Sequence, residues 1–443
     1  MSEDHRILLI GEVFVDFTLP DASTDTKLRL GGVVHAARGL WAVGVDYAVA
    51  AICPSYLVEQ AREYLEHHGC SEFVWLAEVK GAPNVMAIGD PTELADQAYQ
   101  NILREIKSVE YLKGVKSLKA FRNCLIFPGS FDLAALRGLL AEDVQASLDI
   151  AYDLNDLELL NAYKGNLAAL ITSTSSSMFL ETASQDVSGL LDDLYGLSPQ
   201  AVLLKENRGG SRVFDLHSGE SDEVPAQLGD TVNSVGVGDV YSAVFVSLLG
   251  MGVFDAAWKA ARVATCYAQT TYPDDFKRDV QRSLKLSVDD MRGLGGTVLP
   301  WHARQEFQIY FAAPDFSYVE RKHIDEALDA LSYHNFHVRR PVQENGELTQ
   351  QSPMHDMRTA YLGDVKLLEE CDLVFALPLN RDPGTLVEIG LALAAKTAVI
   401  TYDPLHENAN TMVMAGSTVY SDSLDACLNG VFEALSKSRV ARR

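Results

Sequence analysis

The sequence predicts an α/β protein made of two successive sheet-and-helix units. Short apolar runs alternate with longer helical patterns along the chain, and that alternation starts afresh at Phe307. Between the two blocks, Arg292 to Gln305 carries Gly293, Gly295, Gly296 and Pro300, which punctuate the chain rather than continue an element. At 443 residues the chain is also too long for one ordinary domain. The predicted domains are residues 1–295 and 306–443.

In the first block the strand-like runs are Ile7 to Ile10, Tyr47 to Ile52, Cys124 to Phe127, Ser147 to Tyr152, Ala168 to Thr172 and Ala201 to Lys205. They predict a mostly parallel sheet with crossover helices. The second block predicts strand Phe307 to Ala312, helix Tyr318 to Tyr333, strand Phe336 to Arg339 and helix His355 to Glu370. Strand Leu373 to Leu377, helix Thr385 to Ala395 and strand Thr397 to Tyr402 follow. No fixed-period repeat is present, and the run Thr172 to Ser177 (TSTSSS) is the nearest thing to low complexity.

The formal net charge of -24 argues against a nucleic-acid surface, because phosphate backbones demand clustered Lys and Arg. Small anions need only a local site. The opening MSEDHRILLIGEVFVDF has no basic region before its apolar burst and does not look like an export signal. The stretch Val240 to Trp258 contains Asp255 and is too short and mixed to span a membrane. The 6 cysteines form no CxxC pair, which points away from zinc and disulfides and toward a reducing cytoplasm. His67-His68 and His334/His337 have no companions at ligand spacing, so they read as surface histidines and no metal site is predicted.

The sharpest segment is Asp382-Pro-Gly-Thr-Leu-Val-Glu388-Ile-Gly, which follows a strand and opens a helix. Gly384 and Thr385 suit a helix start, Asp382 sits at a capping position, and Glu388 is expected on the first turn. Such a place, just beyond the carboxyl end of a parallel strand, is where α/β folds bind ligands. Asp364 lies on the helix before the same strand. A lone carboxylate near a helix start is usually only a cap or a dipole partner. Its companions at their spacings lift Glu388 above that.

Those companions resemble the nucleoside 2-deoxyribosyltransferase family. The match runs from Ile309-Tyr310-Phe311-Ala312-Ala313-Pro314, through Asp364 ahead of Asp372 and Asp382 ahead of Glu388, to Asn410-Thr-Met412. It covers Phe307 to about Gly416 and implies a smaller Rossmann-like (flavodoxin-like) parallel sheet. By this resemblance Glu388 attacks C1′ of a 2′-deoxynucleoside and displaces the base, and Tyr310 orients Glu388. Asp364 and Asp382 hold the leaving base and handle its proton. Asn410 and Met412 complete the pocket of a neighbouring subunit, which implies a homo-oligomer. No cofactor is implied.

The chemistry agrees. Cleaving an N-glycosidic bond builds oxocarbenium character that a carboxylate captures, and the departing base must be protonated. Re-entry of a second base gives transfer and entry of water gives hydrolysis; the sequence leaves both open. Some relatives hydrolyse deoxynucleoside 5′-monophosphates and hold the phosphate with small and basic residues after the first strand. Here Asp315 in Pro314-Asp-Phe-Ser-Tyr-Val makes a phosphate less welcome, so a free deoxynucleoside is the expected substrate.

In the first block, Asn233-Ser-Val-Gly236-Val-Gly238-Asp239 is a glycine turn leading into an apolar helix that starts with a carboxylate. Backbone N–H groups at such a turn form an anion site, and an Asp beside it can act as base toward a hydroxyl attacking a phosphate. The block resembles the ribokinase-like (PfkB) sugar and nucleoside kinases over about Arg6 to Tyr272. Matching features are Gly11 and Asp16, Gly31-Gly32 before a helix ending at Val43-Gly44, Asp153-Leu-Asn155, Lys205 to Gly210 and Gly236 to Asp239. The resemblance implies a ribokinase-like α/β fold, Asp239 as catalytic base, and Gly236, Val237 and Gly238 as anion hole. It further implies Asp16 and Gly32 against the sugar or nucleoside, with ATP and Mg2+ as cofactors if the domain is active.

This block departs from the family's pattern in three places. His35 stands nearest to the family's Asn, and Asn233-Ser234 replaces Asp-Thr. Thr172-Ser-Thr-Ser-Ser-Ser-Met-Phe offers no carboxylate before Glu181 to help place magnesium. Two readings follow. One is a cytosolic enzyme of nucleoside metabolism whose N-terminal domain binds and phosphorylates a sugar or nucleoside. The other is a nucleotide-sensing pseudokinase that regulates a deoxynucleoside or deoxynucleotide N-glycosidase.

Overall fold

A computed structural model describes the chain except residues 1–3, 21–25, 103–105, 116, 152, 153, 155, 183–185, 350 and 443. The chain forms two compact units. One comprises Met1–Thr92, Gln97–Gln227 and Thr231–Val298; the other comprises Glu93–Asp96, Leu228–Asp230 and Leu299–Arg443.

The first unit is built on a 13-stranded sheet. Its strands are β1 (Asp4–Thr18), β2 (Lys27–Gly32), β3 (Tyr47–Cys53), β4 (Cys70–Lys80), β5 (Val85–Ile88), β6 (Gln100–Asn101), β7 (Ser108–Tyr111), β8 (Phe121–Ile126), β9 (Gln145–Asp149), β10 (Leu167–Ser173), β11 (Ala201–Lys205), β12 (Ser211–Asp215) and β13 (Glu220–Val224). The order is β13-β12-β11-β10-β9-β8-β1-β3-β4-β7. From β11 to β4 every neighbour is parallel, and the edges are closed by antiparallel strands. β1 outruns this sheet: its end, from Val13 to Thr18, pairs with β2, and Val15 to Thr18 also pair with β5. Asp16 lies on that extension.

Strand β3 is buried along its whole length, as parallel strands covered on both faces must be. Helices α1 (Val33–Val43), α2 (Val237–Leu248) and α3 (Val253–Ala268) cover one face. There Leu40, Val244, Phe245 and Val263 pack with Leu9, Val49, Ile171 and Leu203 of the strands. The expected run to Tyr152 stops at Asp149, where the chain turns and the carboxylate accepts the Ala151 N–H at 3.2 Å. Asp153 and Asn155 lie outside the described residues.

The second unit has strands β14 (Gln308–Ala312), β15 (His337–Arg339), β16 (Leu373–Ala376), β17 (Ala398–Tyr402) and β18 (Val419–Ser421). All are parallel, in the order β15-β14-β16-β17-β18. This is the doubly wound order with its switch point between β14 and β16, where a crevice opens at the carboxyl ends. Among its helices are α4 (Lys322–Tyr333), α5 (Met354–Glu370), α6 (Pro383–Ala395), α7 (Thr411–Gly416) and α8 (Leu424–Arg442).

Alternation along β14 divides the core. Ile309 and Phe311 join the α4 and α8 side with Leu331 and Phe432, while Tyr310 and Ala312 join the α5 and α6 side with Leu368 and Ile389. α4 starts at Lys322 rather than Tyr318, because a turn with Val319 N–H on the Phe316 carbonyl intervenes.

His68 and His334 correct the expectation of surface histidines. His68 stacks on Tyr64 at 4.1 Å while its Nδ1 donates to the Tyr64 carbonyl at 2.7 Å, and His334 meets Phe432 edge-on at 5.3 Å; both rings are buried. Among the described residues no group of three or more His, Cys, Asp or Glu side chains could hold a metal ion. Among them, too, no helix is long and apolar enough to cross a membrane.

Candidate active site

The crevice of the second unit holds a cavity of 540 Å³ lined by residues of β14, α5 and α6, among them Tyr310, Asp364, Asp382 and Glu388. Tyr310 sits at the centre of β14 on the α5 and α6 side, and its hydroxyl donates to Glu388 Oε1 at 2.6 Å. Glu388 lies in the second turn of α6, not the first, because the helix already starts at Pro383. Pro at the first helical position loses no hydrogen bond, and Asp382 caps the helix just before it.

Burial pushes the Glu388 carboxyl up to about 7, and the charges of Asp364 and Asp382 add to that. The Tyr310 hydroxyl works in the opposite direction by donating to the charged form. Tyr310 itself is held well above its ordinary value by burial and by the charge of Glu388, so it remains a donor. Asp364 is also raised by burial, partly offset by the Asn345 amide, which donates to its Oδ1 at 2.8 Å. The site therefore pairs a carboxylate that titrates near neutrality with a second carboxyl across the same cavity.

Asp382 has a clear local duty. Its Oδ2 accepts the Thr385 N–H at 2.7 Å and the Thr385 hydroxyl at 2.9 Å. It borders the cavity while capping α6, so its pocket-facing role is shared with a structural one. Asn410 caps α7 through the Met412 N–H at 2.9 Å, and neither residue lines the cavity of its own chain. Met412 is 77% exposed.

Phe316, Met357 and Tyr361 line the cavity too. Met357 and Tyr361 sit one turn apart on α5 and Phe316 lies in the loop after β14, but nothing in their identity separates pocket wall from core. Asp315 is not the bare charge the sequence suggests. It is buried and bridges Arg321 at 2.7 Å and Arg340 at 2.6 Å. With Asp325 also on Arg321, the four charges balance. Asp315 by itself therefore gives no ground for or against a phosphorylated ligand.

In the first unit, Gly236 takes a left-handed conformation (φ 82°) at the start of α2. A Cβ there would overlap the His35 ring, so only glycine fits. The predicted anion hole is incomplete as it stands, since the Val237 N–H is already bonded to the Ser234 carbonyl at 3.1 Å. Gly32 is likewise left-handed (φ 62°), and a Cβ on it would strike the Glu12 carbonyl.

Asp16 is occupied. His35 Nε2 meets its Oδ2 at 2.8 Å, and Arg29 lies 3.6 Å away while donating to Asn233 Oδ1 at 2.8 Å and the Val235 carbonyl at 2.9 Å. Burial alone would raise Asp16, but His35, Arg29 and Arg38 hold it below its ordinary value. Burial drives His35 down to about 4, so it is neutral, and its Nδ1 accepts from the Tyr267 hydroxyl at 2.7 Å.

Asp239 is pushed up to about 8 by burial, then by Asp149 and Asp16, against the pull of Lys205. Asp149 in turn is held by Lys205 Nζ at 2.7 Å and the Ser242 hydroxyl at 2.6 Å. A magnesium ion at a phosphate site keeps several waters and is bound by one or two carboxylates together with the substrate's phosphates. Of the described carboxylates beside the turn, Asp149 is engaged through Oδ2 by Lys205 and Ser242, while Asp239 is raised by burial.

Several solved structures share the outline of a large part of the chain. Ribokinase from Giardia lamblia is 11% identical with a TM-score of 0.46, covering 63% of this chain and 99% of that one. Fructokinase with bound ATP from Xylella fastidiosa is 11% identical with a TM-score of 0.45, over 63% and 99%. The nucleoside kinase of Methanocaldococcus jannaschii, an archaeal member of the ribokinase family, is 15% identical with a TM-score of 0.43, over 63% and 99%. No curated protein matches the chain. Within the second unit, residues 309–435 match the family model of the nucleoside 2-deoxyribosyltransferases.

Proposed function

We propose that the second unit breaks the N-glycosidic bond of a 2′-deoxynucleoside through a covalent deoxyribosyl–Glu388 intermediate. The observation that carries this is the Tyr310–Glu388 hydrogen bond at 2.6 Å inside a cavity that also holds Asp364. The Glu388 carboxylate forms a bond to C1′ as the C1′–N bond breaks, and the electron pair leaves with the base. Asp364 gives that base its proton. A second base, or water, then attacks C1′ and frees Glu388.

The protonation order favours this division of roles only once ligand is bound. In the free protein burial raises both carboxyls, Glu388 to about 7. A base stacked over half-buried Asp364 removes water from it and raises it further. We also propose that Asn410 and the exposed Met412 complete the cavity of a second copy of the chain, giving a homo-oligomer. The decisive experiment incubates the protein with each deoxynucleoside, with and without a second base, and separates the products. Base release that persists in Glu388→Ala sinks the assignment.

For the first unit, the pseudokinase reading is favoured by geometry: His35 Nε2 already meets Asp16 Oδ2 at 2.8 Å, and the Val237 N–H of the would-be anion hole is bonded to the Ser234 carbonyl at 3.1 Å. We infer a unit that senses a nucleotide and regulates the glycosidase rather than one that transfers phosphate. ATP consumption with a panel of sugars and nucleosides tests this. Phosphorylated product that vanishes in Asp239→Asn would restore the kinase.

A further inference from the structure

The turn between β16 and α6 contains Asn380 (φ 56°) and Arg381 (φ 53°), consecutive left-handed residues that are not glycine. Such a conformation is disfavoured for a side chain with a Cβ and persists only where surroundings impose it. The surroundings here are specific. The Asn380 N–H donates to Glu407 Oε2 at 2.7 Å, Arg381 Nε donates to the Glu407 carbonyl at 3.0 Å, and Asn408 Nδ2 donates to the Pro378 carbonyl at 2.6 Å.

The loop that supplies these bonds is itself anchored. Asp403, 2% exposed, accepts the Glu407 N–H at 3.0 Å, the Asn408 N–H at 2.8 Å and the Tyr420 hydroxyl at 2.5 Å. Immediately after the strained pair comes Asp382, then the start of α6 that carries Glu388.

We propose that Glu407 and Asn408 are positioning residues for the Glu388 site. They hold the Leu379–Arg381 turn in its left-handed form and thereby fix where Asp382 and the first turn of α6 stand. Neither lines the cavity, so both act through the turn. The activity part of this inference rests on the proposed role of Glu388; the conformational part does not.

The test compares Glu407→Ala, Glu407→Gln and a triple variant adding Asn380→Gly and Arg381→Gly to Glu407→Ala. Deuterium exchange of residues 379–388 and kcat for base release are measured. Glu407→Ala should exchange about tenfold faster in that segment, with α8 unchanged, and lose about tenfold in kcat. Glu407→Gln keeps an oxygen for the Asn380 N–H and should behave as wild type. The triple variant should recover kcat, because glycine takes the left-handed form without strain.

Unchanged exchange in Glu407→Ala overturns the inference, as does faster exchange with full kcat, or a loss that neither the Gln nor the Gly pair restores. If the wild type releases no base, the reading of Glu388 fails by itself. Exchange in the Ala and Gln variants then decides the clamp alone.

Discussion

Tyr310 and Glu388 stand 78 positions apart in the chain, yet the tyrosine hydroxyl donates to the carboxylate at 2.6 Å. The bond stabilises the charged form of a group that burial drives up, and with it in place the carboxyl is raised to about 7. Tyr310→Phe removes it, so the acid limb of the rate profile for base release should move to higher pH than in wild type. A limb that stays in place or moves to lower pH contradicts this account of Tyr310.

Glu388 also makes stability depend on pH. Its folded pKa lies above the ordinary 4.5. The folded state therefore binds the proton more tightly, and that contribution is lost as pH rises from 4.5 through about 7. Glu388→Gln should leave stability nearly unchanged at acid pH and raise it above neutrality, by at most about 3 kcal/mol. Thermal melts of both proteins across that range check the sign.

Asp364 is assigned to the leaving base, not to the sugar. Asp364→Asn should slow release of natural bases by roughly two orders of magnitude or more, the usual scale of general acid catalysis. A deoxyriboside whose leaving group departs without a proton should be much less affected. Equal losses on both substrates would remove Asp364 from the acid role.

The buried Lys205–Asp149 pair at 2.7 Å predicts a purely structural response. Lys205→Met strands the Asp149 carboxylate and should destabilise the first unit by about 3–5 kcal/mol. Lys205→Met combined with Asp149→Leu should recover much of that. Chemical denaturation of the three proteins measures it.

The two sheets were legible because buried parallel strands such as Tyr47–Cys53 are continuous apolar runs. Tyr310, Asp364, Asp382 and Glu388 were found as a spaced pattern, and the cavity gathers all four. What escaped the sequence was long-range pairing. Nothing local reveals that Asp315 is neutralised by Arg321 and Arg340, or that His35 occupies Asp16. Those depend on loops and strands brought together only by the fold. Likewise, polar letters in His68 and His334 concealed rings that pack as aromatic core.

One wall of the cavity is a single stripe of α5: Met357, Ala360, Tyr361, Asp364, Val365 and Leu368, spaced by helical turns. Tyr310 and Glu388 come from other elements, β14 and α6. Under the proposed roles, recognition of the departing base and attack at the sugar are thus written on separate pieces of chain. Exchange of the stripe's apolar members, Met357, Ala360, Val365 and Leu368, would retune which base is accepted, by drift or by design, while Asp364 and the Tyr310–Glu388 pair stay in place.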